Sequence, residues 1–411
     1  MTNLFINLVE RQRAEFIRLS SLGSADRTAS NQLESHLDSS LIKVITGPRR
    51  AGKSTLAVTT LAKRRVAYFN FEDEKIPGEP DGDELISAMN TVYGPVDIYL
   101  FDEIQNMPRW EQFLNRIHRL GKNVVVTGSN SRLLSAELSS SLTGRHVAIE
   151  LFPLSYQESL MRESATLQSF RSYLETGGFP EVLLSRIDSR NYLSALWDAV
   201  ILKDIVQRHK VRTVGSLRDL LALCLANICS RFSHDSIARA LQADLSAPTV
   251  KKFLRYAQDS YLLTELAMYH RKPRVRIKSE RKIYTIDNGF FSSHKLGVLD
   301  DSSKLLENFV FVELWRRGNK PNLDLFFYKT ANNLEVDFLI RKGHQASELI
   351  QVAYSLSGFE TRRREIAALV KAAQELEVPR LTLVTMDEQG EEIVDGRKVD
   401  IVSAYQWSSY S

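Results

Sequence analysis

Residues 41–55 read LIKVITGPRRAGKST, a short apolar run broken at Gly47 and closed by Gly52-Lys53-Ser54. This is the G-x-x-x-x-G-K-[ST] spacing that folds backbone N–H groups around nucleotide phosphates. Glycines at 47 and 52 let the chain turn tightly and approach a phosphate with no Cβ in the way. Between them Pro48, Arg49, Arg50 and Ala51 form a loop whose successive N–H groups make an anion nest. Lys53 supplies a point charge for the β and γ oxygens, and the Ser54 hydroxyl is a candidate Mg²⁺ ligand. Ser54-Thr55 lead into a helix-compatible stretch, whose dipole adds positive charge at the same place. Lys43–Thr46 just before reads as a strand. The loop is a phosphate site.

Further apolar runs follow at Val66–Phe71, Asp97–Asp102, Asn123–Thr127 and His146–Leu151. Buried parallel strands read as continuous runs of this kind. Trp110, Phe113, Leu114, Ile117 and Leu120 recur at helical spacing between two of them. Residues 41–151 therefore read as a doubly wound α/β domain.

One of these strands ends in Asp102-Glu103. A carboxylate at the carboxyl end of such a strand lies where open α/β sheets bind ligands. Asp102 is the candidate metal ligand, direct or through water, and Glu103 the group that polarises the attacking water. An acidic strand-to-loop turn is the plain alternative. After the next strand, Ser129 and Asn130 stand as equal candidates to touch a γ-phosphate, against a simple turn. Arg132 and Arg145 follow. Arg145, presented by the turn Leu142-Thr143-Gly144, is the better candidate to reach a neighbouring subunit's γ-phosphate; an ordinary surface arginine fits the residues as well.

The segments GPRRAGKST, LFDEIQNMPRWEQFLNRI, VVVTGSNSRLLSAE, LTGR and IELFPLSYQE together resemble the prokaryotic AAA-type P-loop ATPases that carry an uncharacterised C-terminal domain. The resemblance runs from about residue 41 to 355. It implies an AAA+ fold, ATP rather than GTP, and hydrolysis across contacts between copies of the chain in a homo-oligomer. It also implies that residues 152–215, which look helical with a break at Gly177-Gly178-Phe179-Pro180, form the helical lid. Residues 1–40 read as a helix and a Ser-rich linker.

Composition sets the frame. At 411 residues, 43% hydrophobic and 25% charged, the chain is an ordinary globular sequence of two to three domains. No apolar run is long enough to span a bilayer. The start MTNLFINLVERQRAEF lacks a basic segment followed by an apolar core. Cys224 and Cys229 form neither a disulfide framework nor a zinc site. Cytoplasm is the expected compartment. The net charge of +4 decides nothing, but residues 269–282, YHRKPRVRIKSERK, hold seven Lys or Arg against one Glu. Arg274, Arg276 and Lys278 in that stretch suit a nucleic-acid backbone, and a solvated hairpin explains them equally.

From 216 to 291 three short helices and two strands read as a winged helix-turn-helix. Its third helix carries Lys251, Lys252 and Arg255, residues suited to DNA, although such modules also bind proteins. Residues 292–411 resemble restriction-endonuclease-like nucleases through Glu307 on a helix and Asp337 on a strand, a second candidate metal pair. The next strand departs from that pattern, with Gln351 where a carboxylate is expected and Ala353 where a lysine is expected. Loss of both argues against cleavage. Glu348 could substitute only through a strand bulge. The whole chain thus reads as an ATP- and Mg²⁺-dependent ATPase coupled to DNA. An active ATP-dependent nuclease and a nucleotide-gated switch for a protein partner are the alternatives.

Overall fold

The apolar runs become five strands: β1 (Ile42–Thr46), β2 (Val66–Asn70), β3 (Ile98–Asp102), β4 (Asn123–Gly128) and β5 (His146–Glu150). In this computed structural model they form one sheet, ordered β2-β3-β4-β1-β5, with every neighbouring pair parallel. The structure describes residues 2–21, 26–131, 144–161, 163–185, 187–242, 245–295 and 301–409. It divides into two units, Met1–Leu154 and Ser155–Ser411.

In the first unit, alternation along each strand feeds two cores. Tyr99 and Phe101 of β3 pack with Leu85, Phe113 and Leu114 on one face. Ile98 and Leu100 pack with Leu56, Leu61 and Tyr68 on the other. Both faces are covered, which is why the strands carry no polar alternation. The first forty residues belong to this unit. The helix Thr2–Ser20 buries Phe5, Leu8 and Val9 in one core, and a second helix, Thr28–His36, stands where a linker was expected and buries Leu33 in the other. Gln12 also hydrogen-bonds both the N–H (2.8 Å) and the carbonyl (3.1 Å) of Asn70 on the edge strand β2. A side-chain amide thereby covers part of an open sheet edge.

The second unit opens with helices at Tyr156–Ser159, Leu167–Thr176, Pro180–Ser185 and Ser189–Val200, the last continuing as a π-helix over Ile201–Gln207. These residues, expected as a lid, pack within this unit: Phe170 lies edge-on to Phe309, and Phe179 and Trp197 meet Phe290. The Gly177-Gly178 break follows from Asp287. Its carboxylate accepts from Gly178 N (2.7 Å) and Gly289 N (2.9 Å). A Cβ on Gly177, at φ +76°, would lie 1.8 Å from Asp287 Oδ1.

The helix Val214–Ala226 is followed by β6 (Arg231–Phe232), the helices His234–Ala240 and Ala247–Asp259, then β7 (Leu263–Ala267) and β8 (Arg281–Thr285); the strands form an antiparallel sheet ordered β6-β8-β7. The basic stretch between β7 and β8 contains a short helix, Pro273–Lys278, rather than a bare hairpin loop. The helix Ser302–Arg316 then leads to β9 (Leu325–Lys329), β10 (Glu335–Lys342), β11 (Gln345–Ala353), β12 (Arg380–Thr385), β13 (Gly390–Val394) and β14 (Arg397–Ser403). Their order is β13-β14-β12-β11-β10-β9, parallel at β11-β12-β14 and antiparallel elsewhere. The helix Phe359–Leu376 makes the crossover from β11 to β12.

Burial pushes the Asp287 carboxyl up to about 6, against about 3.9 in an unfolded chain. Between those values the folded chain keeps a proton that the unfolded chain releases. This group's contribution to stability therefore falls as pH rises from about 4 to about 6 and is level above. Compared with Asp287→Asn in urea unfolding, the wild type should lose stability between pH 4 and pH 7; a constant difference contradicts this. Asp287→Ala, which strands two buried N–H groups, should cost about 2–4 kcal/mol at pH 4 and less at pH 7, where the wild type has lost the contribution of the protonated carboxyl.

Candidate active site

The phosphate loop leaves the carboxyl end of β1. Leu151 N donates to Thr46 O (2.7 Å), so the chain leaving β5 runs directly beside the loop's first turn. A Cβ on Gly47 would stand 1.9 Å from Leu151 O. This glycine is therefore required by the sheet itself, in addition to any phosphate. Gly52, at φ +93°, caps the helix Lys53–Leu61. Lys53 is buried as that helix's first residue; its Nζ donates to Pro48 O (3.0 Å) and lies 3.7 Å from Glu103 Oε1. Arg49 pairs with Glu72 at 2.7 Å, while Arg50 is exposed at φ +66°.

Asp102, the last residue of β3, is where the elements converge. Its Oδ1 accepts from Ser54 Oγ (2.9 Å) and from the Thr127 hydroxyl, and its Oδ2 accepts from Tyr68 OH (3.2 Å). Burial, then the neighbouring Glu103 charge, push the Asp102 carboxyl up to about 6 despite those donors. Glu103 goes the other way. Burial alone would raise it, but Lys53, Gln105, Arg49 and Ser129 together hold it below the usual carboxylate value. The pair is thus split into one group relieved by an added cation and one that stays an anion.

Glu103 adopts the left-handed conformation, φ +49°, and starts a short 3₁₀ turn over Ile104–Asn106. The turn brings Gln105 back over Glu103. Gln105 Nε2 donates to Glu103 Oε2 and to Ser129 Oγ (3.3 Å), and Ser129 N also donates to Glu103 Oε2 (3.3 Å). Of the two candidates after β4, Ser129 thus touches Glu103, and Asn130 is buried next to it. Gln105, Thr127 and Tyr68 were not singled out by sequence. Gln105 alone had a local signal, two residues past Glu103. Arg145 immediately precedes β5 at its amino end, hydrogen-bonds Asn115 Oδ1 at 3.3 Å, and is exposed. The loop lies at the opposite end of the same strands, so Arg145 cannot serve the site of its own chain.

A sequence-family model for an AAA domain matches residues 39–160. Two domains of unknown function, DUF8612 and DUF4143, match 167–302 and 302–407. An uncharacterized protein of Methanocaldococcus jannaschii is 32% identical over 414 residues, covering 93% of this chain and 91% of that one. The chain belongs to the AAA-type P-loop ATPases with C-terminal domains of unknown function. A second uncharacterized protein, from Haemophilus influenzae, is 29% identical across 79% of this chain and 85% of its own. Among solved structures, a Walker-type ATPase of Pyrococcus abyssi is 14% identical, with a TM-score of 0.47 over 68% of this chain and all of that one.

The remaining candidates of this AAA-type ATPase lie in its second unit. Glu307 and Asp337 do converge, but on a lysine: Lys282 Nζ lies 2.9 Å from each and 2.7 Å from Glu335. Lys282 counts among the seven basic residues of 269–282, yet only 1% of it is exposed, so it is no part of a solvent-facing patch. Gln351 Oε1 accepts from Asp337 N (3.1 Å), and its Nε2 donates to Glu365 (2.8 Å). Ala353 is buried on β11, and Glu348 turns to Thr382 and Arg380. Lys251, Lys252 and Arg255 are exposed opposite the buried Val250, Phe253 and Leu254. Arg274 and Lys278 are exposed on their short helix, and Arg276 rests over the Phe326 ring at 5.2 Å, with Arg341 over the same ring at 5.9 Å.

Gln105 fixes the Glu103 carboxylate without occupying the phosphate loop. Gln105→Ala should lower nucleotide turnover about 10-fold or more while leaving nucleotide affinity within about 3-fold, a purely transition-state loss. Equal losses in affinity and turnover, measured by steady-state kinetics and direct binding, would contradict that role.

Proposed function

We propose that the chain hydrolyses ATP with Mg²⁺ and couples the cycle to DNA held by its second unit. One observation carries the hydrolytic part: Lys53, Ser54, Asp102 and Glu103 meet in one buried site whose two carboxylates are electrostatically split. Ser54 and Asp102 offer adjacent hard oxygens, the donor type Mg²⁺ takes, and would hold it. The bound ion supplies positive charge to the phosphate oxygens. Lys53 adds its ammonium to the β and γ oxygens. Glu103, kept anionic and aimed by Gln105 and Ser129, accepts the proton of the attacking water. Arg145, too far along the sheet for its own site, is assigned to a neighbouring copy, where a guanidinium stabilises transition-state charge.

The DNA part rests on the order helix, strand, helix, helix, strand, short helix, strand over 214–285, read as a winged helix, on the exposed cations at 251, 252, 255, 274 and 278, and on the half-buried Arg276 beside them. The last domain is read as nuclease-like and non-cleaving, because Gln351 and Ala353 replace two groups that cleavage needs. Among the described residues no helix is long and apolar enough to cross a membrane.

Lys53→Ala should abolish ATP binding. Glu103→Gln should bind ATP but turn it over about 10²–10³-fold more slowly. Wild-type turnover in both variants contradicts the assignment. Replacing Arg274, Arg276 and Lys278 together by alanine should remove most salt-sensitive binding of double-stranded DNA and flatten its salt slope. Unchanged affinity and slope would point instead to a protein partner.

A further inference from the structure

A nuclease-like domain implies a divalent metal on Glu307 and Asp337. The residues present do not fit one. Lys282 stands on β8, the central strand of the three-stranded sheet, and its side chain crosses to the carboxylates of the helix Ser302–Arg316 and of β10. An ammonium has three N–H donors, and here each has its own carboxylate: Glu335 at 2.7 Å, Glu307 at 2.9 Å and Asp337 at 2.9 Å. The Phe327 ring lies 5.9 Å from the same nitrogen. Burial alone would lower the Lys282 pKa, but the three acids outweigh it and hold the ammonium charged.

Two of the carboxylates are also held through their second oxygen: Asp337 Oδ2 accepts from Val352 N (3.0 Å), and Glu335 Oε2 pairs with Arg231 Nε (3.0 Å). Glu307 takes both Lys282 and the Tyr284 hydroxyl (2.7 Å) on Oε1. Mg²⁺ needs about six oxygens in near-octahedral order. Among the described residues no group of three or more His, Cys, Asp or Glu side chains is arranged to hold a metal ion. The third position of the pattern, Gln351, is committed to Asp337 N and Glu365.

Resting on the nuclease-like reading of this domain, we propose that Lys282 is a resident cation standing in the place of the divalent metal. The ancestral carboxylates are then retained for a different purpose. They hold the last domain to the three-stranded sheet, a junction continued by the backbone bond Tyr269 N to Phe327 O (2.7 Å). The domain works without a metal, and its charge cluster joins two modules in place of a reaction centre.

Mn²⁺ titration of the full chain without nucleotide, read by electron paramagnetic resonance, tests this. The wild type should show no Mn²⁺ site that Asp337→Asn removes, even at millimolar Mn²⁺. Lys282→Ala should gain one such site per chain, and Lys282→Ala with Asp337→Asn should lose it again. Lys282→Met keeps the apolar stem packed and should gain the site too, which covers a fold defect in the alanine variant. If neither variant folds, the wild-type titration alone decides. An Asp337-dependent site in the wild type, or no gain in folded Lys282 variants, overturns the proposal. Mn²⁺ binding without DNA cleavage would overturn this proposal alone. Metal-dependent cleavage lost in Asp337→Asn would overturn the non-cleaving reading as well.

Discussion

A buried carboxylate surrounded by neutral hydroxyls governs the first unit. Asp102 sits at the carboxyl end of the third strand and takes hydroxyl donors from the phosphate helix, from β2 and from β4. Those donors satisfy its lone pairs but bring no positive charge. The group is strained toward protonation, and a cation at its side is the natural relief. Everything needed to place that cation is fixed by the sheet: the parallel order sets the neighbours of β3, and the required glycine at 47 keeps the loop tight against the chain leaving β5.

The second unit carries the same kind of problem with the opposite solution. Glu307, Glu335 and Asp337 are gathered at one point, yet the compensating charge is covalently part of the chain. Removing one partner from such a cluster is costly because the rest remain buried and unpaired. Two acidic sites in one protein thus differ in a single respect, whether a lysine already fills the centre. Lys53 does not fill the first, since it lies 3.7 Å from Glu103 and donates to a loop carbonyl.

Local pattern made much of this legible. The five strands of the ATPase sheet, the three helices after residue 213, and in the last domain the crossover helix and every strand but β13 announce themselves by apolar runs and helical spacing; β13, Gly390–Val394, lies in what reads as an acidic turn, with two glutamates and no fully buried residue. The convergence of Asp102 and Glu103 on the phosphate loop was readable because such a loop and an acidic strand end have few other reasons to coexist. The helix Thr28–His36 escaped notice because it buries only Leu33 and is otherwise polar. The helix Pro273–Lys278 buries nothing, so no periodicity marked it. Lys282 was hidden for a different reason. Its neighbours in sequence are basic and its partners lie 25 to 55 residues away, so composition assigned it to the surface while the fold placed it in the interior. Gln105 and Tyr68 belong to the same class, since hydrogen bonds to a carboxylate leave no periodic trace.

The measurement that bears most directly on this account is ATP turnover by the full chain with Mg²⁺, titrated with double-stranded DNA. The account predicts turnover that rises to a plateau as DNA is added and rises less at high salt, because the exposed cations carry the contact. Turnover that is absent throughout, or present and indifferent to DNA, would contradict it.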